Sequence, residues 1–253
     1  SAASAASAAS AASAASAASA AALTLPRRAM ARPEVTAREG IRVIAEDEPV
    51  RQFDESVELS LGLGLDPRKP NQSLRVMTQL PHGAGKQARI AVFARGDEAE
   101  RALSAGAAIV GAEDLAEDIQ SGNIDFTRCI ATPDMMPVVG RVARILGPRG
   151  LMPNPKLGTV TLDVEAAVAK ALKGEVELRT DKFGFVNCSI GKRSFTQNML
   201  LDNLKAVMVT VSNEKPTGAS GKYLKQAVLS STMGHGVRVD PKCLDPSSTT
   251  FLD

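Results

Sequence analysis

The sequence contains little of the material from which catalytic and metal sites are made. Its 253 residues include only two histidines, His82 and His235, so metal clusters and histidine-based catalytic triads have almost nothing to be built from. The three cysteines, Cys129, Cys188 and Cys243, are far apart and odd in number, which argues against a disulfide framework and a zinc site. This composition weakens most enzymatic interpretations and suggests a reducing compartment.

Long hydrophobic runs are missing as well, since no apolar stretch approaches the roughly 20 residues that cross a bilayer. We therefore expect no membrane role.

The formal net charge is only +2, so any nucleic-acid surface has to be a local feature. Residues 175–243 contain ten basic and six acidic side chains, whereas residues 34–83 contain six basic and nine acidic ones.

The first 22 residues repeat the triplet SAA seven times and end on one more alanine. Alanine favours helices, but this segment has no apolar stripe to bury. Residues 1–33 are rich in serine, contain three arginines and lack acidic residues, which is typical of an organellar targeting segment. A low-complexity tail and a placeholder for poorly identified sequence are the alternatives, and the segment does not enter the fold prediction.

Hydrophobic periodicity predicts regular structure from residue 34 onward. The stretches TAREGIRVIAED, VELSLGLGL and LRVMTQL predict a helix and two strands. Three strand–helix pairs follow between about residues 89 and 146, an alternation typical of a parallel α/β layer. A helix in DVEAAVAKALKG then precedes strands in EVELRT and GFVNCSI, a helix near residues 196–212, and strands in YLKQAVLS and GVRVD.

The order of these elements predicts an α/β fold in two parts. An α/β domain of residues 84–174 interrupts an α+β domain that is assembled from residues 34–83 and 175–243. Residues 1–33 are then a leader, and residues 244–253 form a C-terminal tail.

Motifs for nucleotide chemistry are incomplete in this chain. HGAGK, residues 82–86, lacks the first glycine of a phosphate loop because Leu80 takes its place, and Gln87 replaces the hydroxyl residue after the lysine. No G-x-G-x-x-G motif opens the α/β segment, so a Rossmann-like domain here would lack its cofactor fingerprint. The acidic pairs of residues 113–118 are better explained as the solvated face of a helix. We expect no cofactor, no metal and no small-molecule substrate.

A stiff basic loop, GPRGLMPNPK at residues 147–156, follows a predicted helix. Its prolines restrict the backbone, and its two glycines permit tight bends. We expect a rigid projection that ends the last helix of the inserted domain and holds Arg149 and Lys156 outward. Their partner would be RNA phosphate or the facing domain, and RNA is slightly favoured.

Two further stretches have a polar character that leaves two interpretations open. In RQFDESVE, Phe53 is a core residue at a strand entrance or an exposed contact residue. In SSTMGHG, residues 230–236, the small residues form an ordinary turn, or they allow the backbone and hydroxyl groups to approach a sugar-phosphate surface closely.

The stretches FDESVE, LPHGAGK, ATPDMMP, GPRGLMPNPK, GTVT, IGKRSF and SSTMG, in this order, resemble the universal large-subunit ribosomal protein number one family. The resemblance runs from about residue 35 to residue 240. It implies a split α+β domain, an inserted three-layer α/β domain and two connecting hinge strands. It also implies a non-enzymatic protein of the ribosome that binds the mobile stalk of large-subunit rRNA and assists release of deacylated exit-site tRNA.

The resemblance also implies which residues face RNA. They come from three stretches: Phe53, Glu55 and Ser56; Lys192 and Ser194; and Ser230, Ser231, Thr232, Met233 and Gly234. The sequence departs from the family pattern near this predicted surface, with Gln52 in place of lysine, Asn187 in place of histidine, Ser220 in place of lysine and His235 in place of proline. These departures suggest an altered RNA site in which recognition is kept.

The sequences VFARG, VGAEDL and RCIATPDMMP are most similar to those of alphaproteobacterial members, which suggests a mitochondrial ribosome. A chloroplast or the bacterial cytoplasm is the alternative. Two other functions compete with the ribosomal one: a nucleotide-dependent α/β enzyme that uses the middle domain, and a repressor that binds its own messenger RNA.

Overall fold

The computed structural model describes residues 34–47, 51–85, 88–219, 221–248 and 251–252. The leader of residues 1–33, the Lys86 of HGAGK and the departure at Ser220 lie outside the described residues. Helix α1 (Ala37–Arg42) begins the described chain, and one turn of π-helix (Val43–Asp47) continues it. Thr36 caps α1, because its hydroxyl accepts a hydrogen bond from the Glu39 amide at 3.3 Å.

A four-stranded sheet is built from both ends of the chain. Its strands are β1 (Ser56–Leu63), β7 (Phe185–Lys192), β8 (Leu224–Ser231) and β9 (Val237–Val239), in the order β7-β1-β8-β9 with antiparallel pairing throughout. Alternate residues of β1 point into the core. Helices α1 and α6 (Gln197–Asn213) pack against each other, and they contact β9 and β7, respectively, so they cover one face of the sheet.

The middle of the chain forms a parallel sheet with helices on both faces. Its order is β4-β3-β5, with β3 (Ile90–Phe93) between β4 (Ile109–Gly111) and β5 (Arg128–Ala131). One hydrophobic cluster joins the sheet to α3 (Glu113–Gln120) and α4 (Met136–Leu146), and the other joins it to α2 (Asp97–Ser104) and α5 (Val164–Leu172). All four residues of β3 are buried, as a central strand covered on both faces requires. The predicted α/β fold and its three layers are confirmed.

Two connections run between the parallel sheet and the four-stranded sheet. Strands β2 (Arg75–Gln79) and β6 (Glu175–Arg179) pair antiparallel in a sheet of their own. Beyond this sheet the connections meet at two glycines: a Cβ atom on Gly174 would lie 2.5 Å from the Cα of Gly83. Gly174 also has φ +90°, a conformation that residues with a Cβ rarely adopt. We call residues 80–85 together with Gly174 the crossing. The exact domain boundaries stay a prediction.

The loop of residues 147–156 differs from the projection that the sequence predicts. The helix before it is not the last one of the inserted domain, since α5 follows. The chain just after the loop returns to β5, where the Ala131 amide donates to the Thr159 carbonyl at 3.0 Å. The Asn154 amide donates to the Thr159 hydroxyl at 2.8 Å, and Pro153 is buried. The chain lies along β5 here because backbone polar groups near a core need hydrogen-bond partners, and the neighbouring strand provides them.

Within the described parts of the chain, no helix is long and apolar enough to cross a membrane.

Candidate nucleic-acid interface

Three separate stretches of the chain meet at one end of the four-stranded sheet. The pairing of β1 with its neighbours places Ser56 opposite Lys192 and Val57 opposite Ser231. The start of β1, the end of β7 and the turn after β8 therefore form one edge, which we call the sheet end. All ten residues predicted to face RNA lie in these stretches.

The first connection at the sheet end joins Thr232 to Ser56. The Ser56 amide donates to the Thr232 hydroxyl at 2.9 Å, and the same hydroxyl donates to the Ser56 carbonyl at 3.3 Å. The threonine side chain thus continues the sheet pairing by one residue beyond the end of β8. This contact positions the backbone of the 232–234 turn relative to β1.

Lys192 and Ser194 make the second connection, and both contact Asp54. The Lys192 ammonium donates to the Asp54 carbonyl at 3.1 Å and to the Ser56 hydroxyl at 2.9 Å. The Ser194 hydroxyl donates to the Asp54 carboxylate at 2.8 Å, and its amide donates to the other carboxylate oxygen at 3.2 Å. These two predicted RNA residues therefore position the 53–56 stretch in the unbound protein.

Glu55 is the most buried charged residue of the sheet end, with 1% of its surface exposed. Arg51 lies beside it, with Nε 2.7 Å from a Glu55 carboxylate oxygen, in an ion pair rather than an aligned hydrogen bond. The same arginine donates to the Met233 carbonyl at 3.1 Å. A buried charge needs such a partner, so Arg51 neutralises Glu55 and at the same time holds the turn that carries Met233.

Two large apolar side chains face solvent here beside polar ones. Phe53 is 53% exposed and Met233 is 59% exposed, which contradicts the interpretation of Phe53 as a core residue. Thr232 is exposed, Ser230 and Gly234 are half-buried, and Ser231 is 4% exposed. Glu55 and Ser231 are therefore too buried to face RNA directly in this structure, because the ladder between β1 and its neighbours covers them.

Sequence patterns did not single out two residues that organise this edge, Arg51 and Asp54. The Arg51–Glu55 spacing of four residues is the signal that could have indicated the ion pair. Asp54 lies between Phe53 and Glu55, which were both predicted to face RNA, but no comparable sequence pattern indicates its own role. In the parts of the chain that are described, no group of three or more His, Cys, Asp or Glu side chains could hold a metal ion.

One departure from the family pattern lies on the open face of the sheet. Asn187 is exposed on β7 and pairs with Ser60 of β1, whose hydroxyl donates to the Asn187 side-chain oxygen at 2.7 Å. An amide there keeps hydrogen-bonding capacity but has no ring and no titratable charge. Gln52 is exposed beside the sheet end, and His235 follows the 232–234 turn.

The loop residues Arg149 and Lys156 are both exposed. Arg149 lines a hollow of about 210 Å³ together with Met77 of β2 and Glu177 of β6. In the same hollow Arg128 donates to the Glu175 carbonyl and to the Met77 sulfur, and burial lowers its pKa although Glu175 and Glu177 raise it. For Arg149 this placement favours the contact between domains over the RNA contact.

Comparison with known families agrees with this architecture. A family model described as the ribosomal protein L1p/L10e family matches residues 44–235. The match includes the sheet end, the crossing and the whole parallel sheet. It covers most of the chain, and the family is one of structural ribosomal proteins that bind rRNA rather than of enzymes. The chain therefore belongs to the ribosomal protein L1p/L10e family.

Proposed function

We propose that the protein binds the stalk of large-subunit rRNA through the sheet end and assists release of deacylated tRNA from the exit site. The observation that carries this proposal is the convergence of residues 53–56, 192–194 and 230–234 on one edge. These residues are distant in sequence, and their side chains hold one another in place. A surface that is ordered before binding loses less conformational entropy when RNA docks.

Recognition by shape fits the charge of this edge. Arg51, Lys192 and Arg193 are balanced in part by Asp54 and Glu55. The exposed side chains include an aromatic ring and a thioether as well as hydroxyl, amide and carboxylate groups. Unpaired bases stack on aromatic rings, and hydroxyls and backbone groups bind phosphates and 2′-hydroxyls. Because few charges are free, the affinity should fall less steeply with salt than that of a strongly basic protein.

The proposed assistance in tRNA release needs a stalk that moves, and the crossing gives the protein a place to bend. Two segments of the described chain connect the parallel sheet to the four-stranded sheet there, and they meet at Gly83 and Gly174 without side chains between them. Hinges are typically a few residues that absorb a change in backbone angles. The hydrogen bonds of Asn203 to this segment, described below, would limit the range of bending.

A titration against an isolated stalk fragment over a salt series tests the proposal. Phe53→Ala should weaken binding about 5- to 150-fold, the range for loss of one stacking contact of about 1–3 kcal/mol. The matched control is Phe183→Ala, which removes another exposed ring, 72% exposed, from the hairpin at the opposite end of the sheet. Met233→Ala has the corresponding control Met152→Ala, whose side chain is 39% exposed.

Equal losses in the test and control variants, or equal affinity for an unrelated RNA hairpin, would contradict the proposal. Binding by the sheet end requires that only Phe53→Ala and Met233→Ala weaken the complex and that the salt slope stays nearly unchanged. Both residues are exposed in the free protein, so their removal should leave the fold intact.

We also propose a mitochondrial location, with a chloroplast or the bacterial cytoplasm as the alternatives. Two features support this location. The leader of residues 1–33 contains arginines and no acidic residues, and the sequence of the middle segment resembles alphaproteobacterial members. Expression of the full chain with a C-terminal fluorescent tag in cultured cells tests it. Mitochondrial fluorescence that disappears when residues 1–33 are deleted is expected, and diffuse cytosolic fluorescence of the full chain would refute the location.

A further inference from the structure

A cavity lies at the other end of the four-stranded sheet, opposite to the defined sheet end. It is a cavity of about 390 Å³ between the end of α6, the start of β8 and residues 241–247. Residues 241–247 lie beyond the region that matches the family, and they are anchored by Leu244, which is fully buried in the core. We call this site the C-terminal cavity.

Three lysines surround the C-terminal cavity: Lys215, Lys222 and Lys242. All three are exposed, and within the described parts of the chain none of them forms an ion pair. One acid, Asp245, lines the same cavity. Hydrogen bonds from the Ser247 side chain and amide engage it and lower its pKa, and the nearby charge of Lys215 lowers it further. The rim is therefore positively charged and complementary to a ligand with carboxylate or phosphate groups.

The floor of the cavity is apolar, with Met208, Val211 and Leu224 among its lining residues. Tyr223 stands at one wall, and its hydroxyl donates to the Val211 carbonyl at 3.1 Å. The Lys215 ammonium lies 5.5 Å from the centre of the tyrosine ring, so this face is already occupied. A nucleobase needs an open ring face to stack on, whereas an aliphatic side chain needs only the apolar floor.

We propose that the C-terminal cavity binds an acidic peptide segment of a partner protein, with one apolar side chain on the floor and carboxylates on the three lysines. Helix α6 has 17 residues and runs from the sheet end to this cavity, a length of about 25 Å at 1.5 Å per residue. An RNA bound at the sheet end therefore leaves the cavity accessible. The protein can hold RNA and a protein partner at the same time.

The chain contains a single tyrosine, Tyr223, and no tryptophan, so its intrinsic fluorescence reports on this cavity alone. The probe is the blocked hexapeptide acetyl-Glu-Asp-Leu-Glu-Asp-Glu-amide, titrated into the full-length protein at low salt. A saturable change with a dissociation constant of about 100 µM or tighter is expected, in the range of weak peptide recognition. Replacing the peptide leucine by serine should weaken binding at least about tenfold, because the apolar anchor is lost.

The double variant Lys222→Ala/Lys242→Ala should weaken peptide binding at least about tenfold, since it removes two of three facing charges. The matched control is Lys182→Ala/Lys205→Ala, which removes two exposed lysines that do not line the cavity. Equal losses in both double variants, or no saturation below about 1 mM peptide, would overturn the proposal. Tighter binding of an oligouridine than of the peptide would overturn it in favour of RNA.

The stalk fragment is titrated into the same variants, which separates this inference from the proposed function. Unchanged stalk affinity in Lys222→Ala/Lys242→Ala shows that the two sites act independently. Lost stalk affinity in that variant would instead assign the three lysines to the RNA surface and refute a protein partner. Failure of peptide binding leaves the Phe53→Ala test unaffected.

Discussion

Asn203 is the residue whose replacement should most directly loosen the crossing. Its side chain is fully buried, with no exposed surface. The side-chain amide donates to the Ile190 carbonyl at 2.7 Å and to the Gly83 carbonyl at 3.0 Å, and the side-chain oxygen accepts from the His82 amide at 3.1 Å. One side chain on α6 therefore holds both β7 and the first connecting segment.

Asn203→Ala removes all three hydrogen bonds and leaves their backbone partners without this side chain. At about 1 kcal/mol for each net hydrogen bond, the expected loss of unfolding free energy is about 3 kcal/mol. The small cavity left by the amide adds to this loss, whereas the better helix propensity of alanine offsets about 0.5 kcal/mol. The matched control is Asn198→Ala in the first turn of the same helix, where the side chain is exposed and the change should stay within about 0.5 kcal/mol.

Urea denaturation followed by circular dichroism measures both variants. With a slope of about 2 kcal/mol per molar urea, the Asn203→Ala midpoint should fall by about 1.5 M, and the control midpoint should hardly move. Hydrogen exchange at Gly83 and His82 should accelerate more than exchange in β3, because the crossing opens locally. An unfolding free energy of Asn203→Ala within 0.5 kcal/mol of the control, a limit about the size of surface effects, would refute this account of the crossing.

Thr78, Gly174 and the three cysteines give three further predictions. Thr78→Val should raise the unfolding free energy by about 1 kcal/mol, because the Thr78 hydroxyl is buried without a hydrogen-bond partner among the described residues, and unchanged or lower stability in urea would contradict this. Gly174→Ala should lower the unfolding free energy by more than about 2 kcal/mol, because it combines a positive φ with a clash against Gly83. Gly122→Ala, at φ +94° with open space around it, should lower it by about 1 kcal/mol. Equal thermal shifts of the two variants would show that the crossing is not tightly packed. Cys243 should be alkylated by iodoacetamide at pH 8 faster than Cys129 and Cys188. Burial raises the pKa of the Cys129 and Cys188 thiols to about 12, so both stay protonated. Mass spectrometry that shows Cys129 or Cys188 labelled before Cys243 would contradict this.

Most of the fold was predictable from local patterns. The alternation of VELSLGLGL predicts β1, and its apolar positions are the buried ones. The three strand–helix pairs predict the parallel sheet, because parallel neighbours need a crossover helix between them. The loop of residues 147–156 was predicted less well, since proline and glycine indicate bends but not the surface against which a loop packs.

The candidate interface was predictable as a set of residues and not as a geometry. Quoted motifs indicated Phe53, Lys192 and Thr232, yet nothing local shows that Thr232 bonds to Ser56 across 176 positions. Arg51 and Asp54 were missed because their roles depend on partners brought in by the pairing of β1 with β7 and β8.

By itself the sequence determined the element types, the α/β class and the family, because hydrophobic period and ordered motifs are local properties of the chain. Only the tertiary structure decided that Phe53 is exposed while Glu55 two residues later is buried, and that Arg149 lies beside the sheet of β2 and β6. It also decided that the C-terminal segment closes a lysine-rimmed cavity. Burial and charge pairing are properties of contacts between distant segments, and those contacts exist only after the two ends of the chain have joined in one sheet.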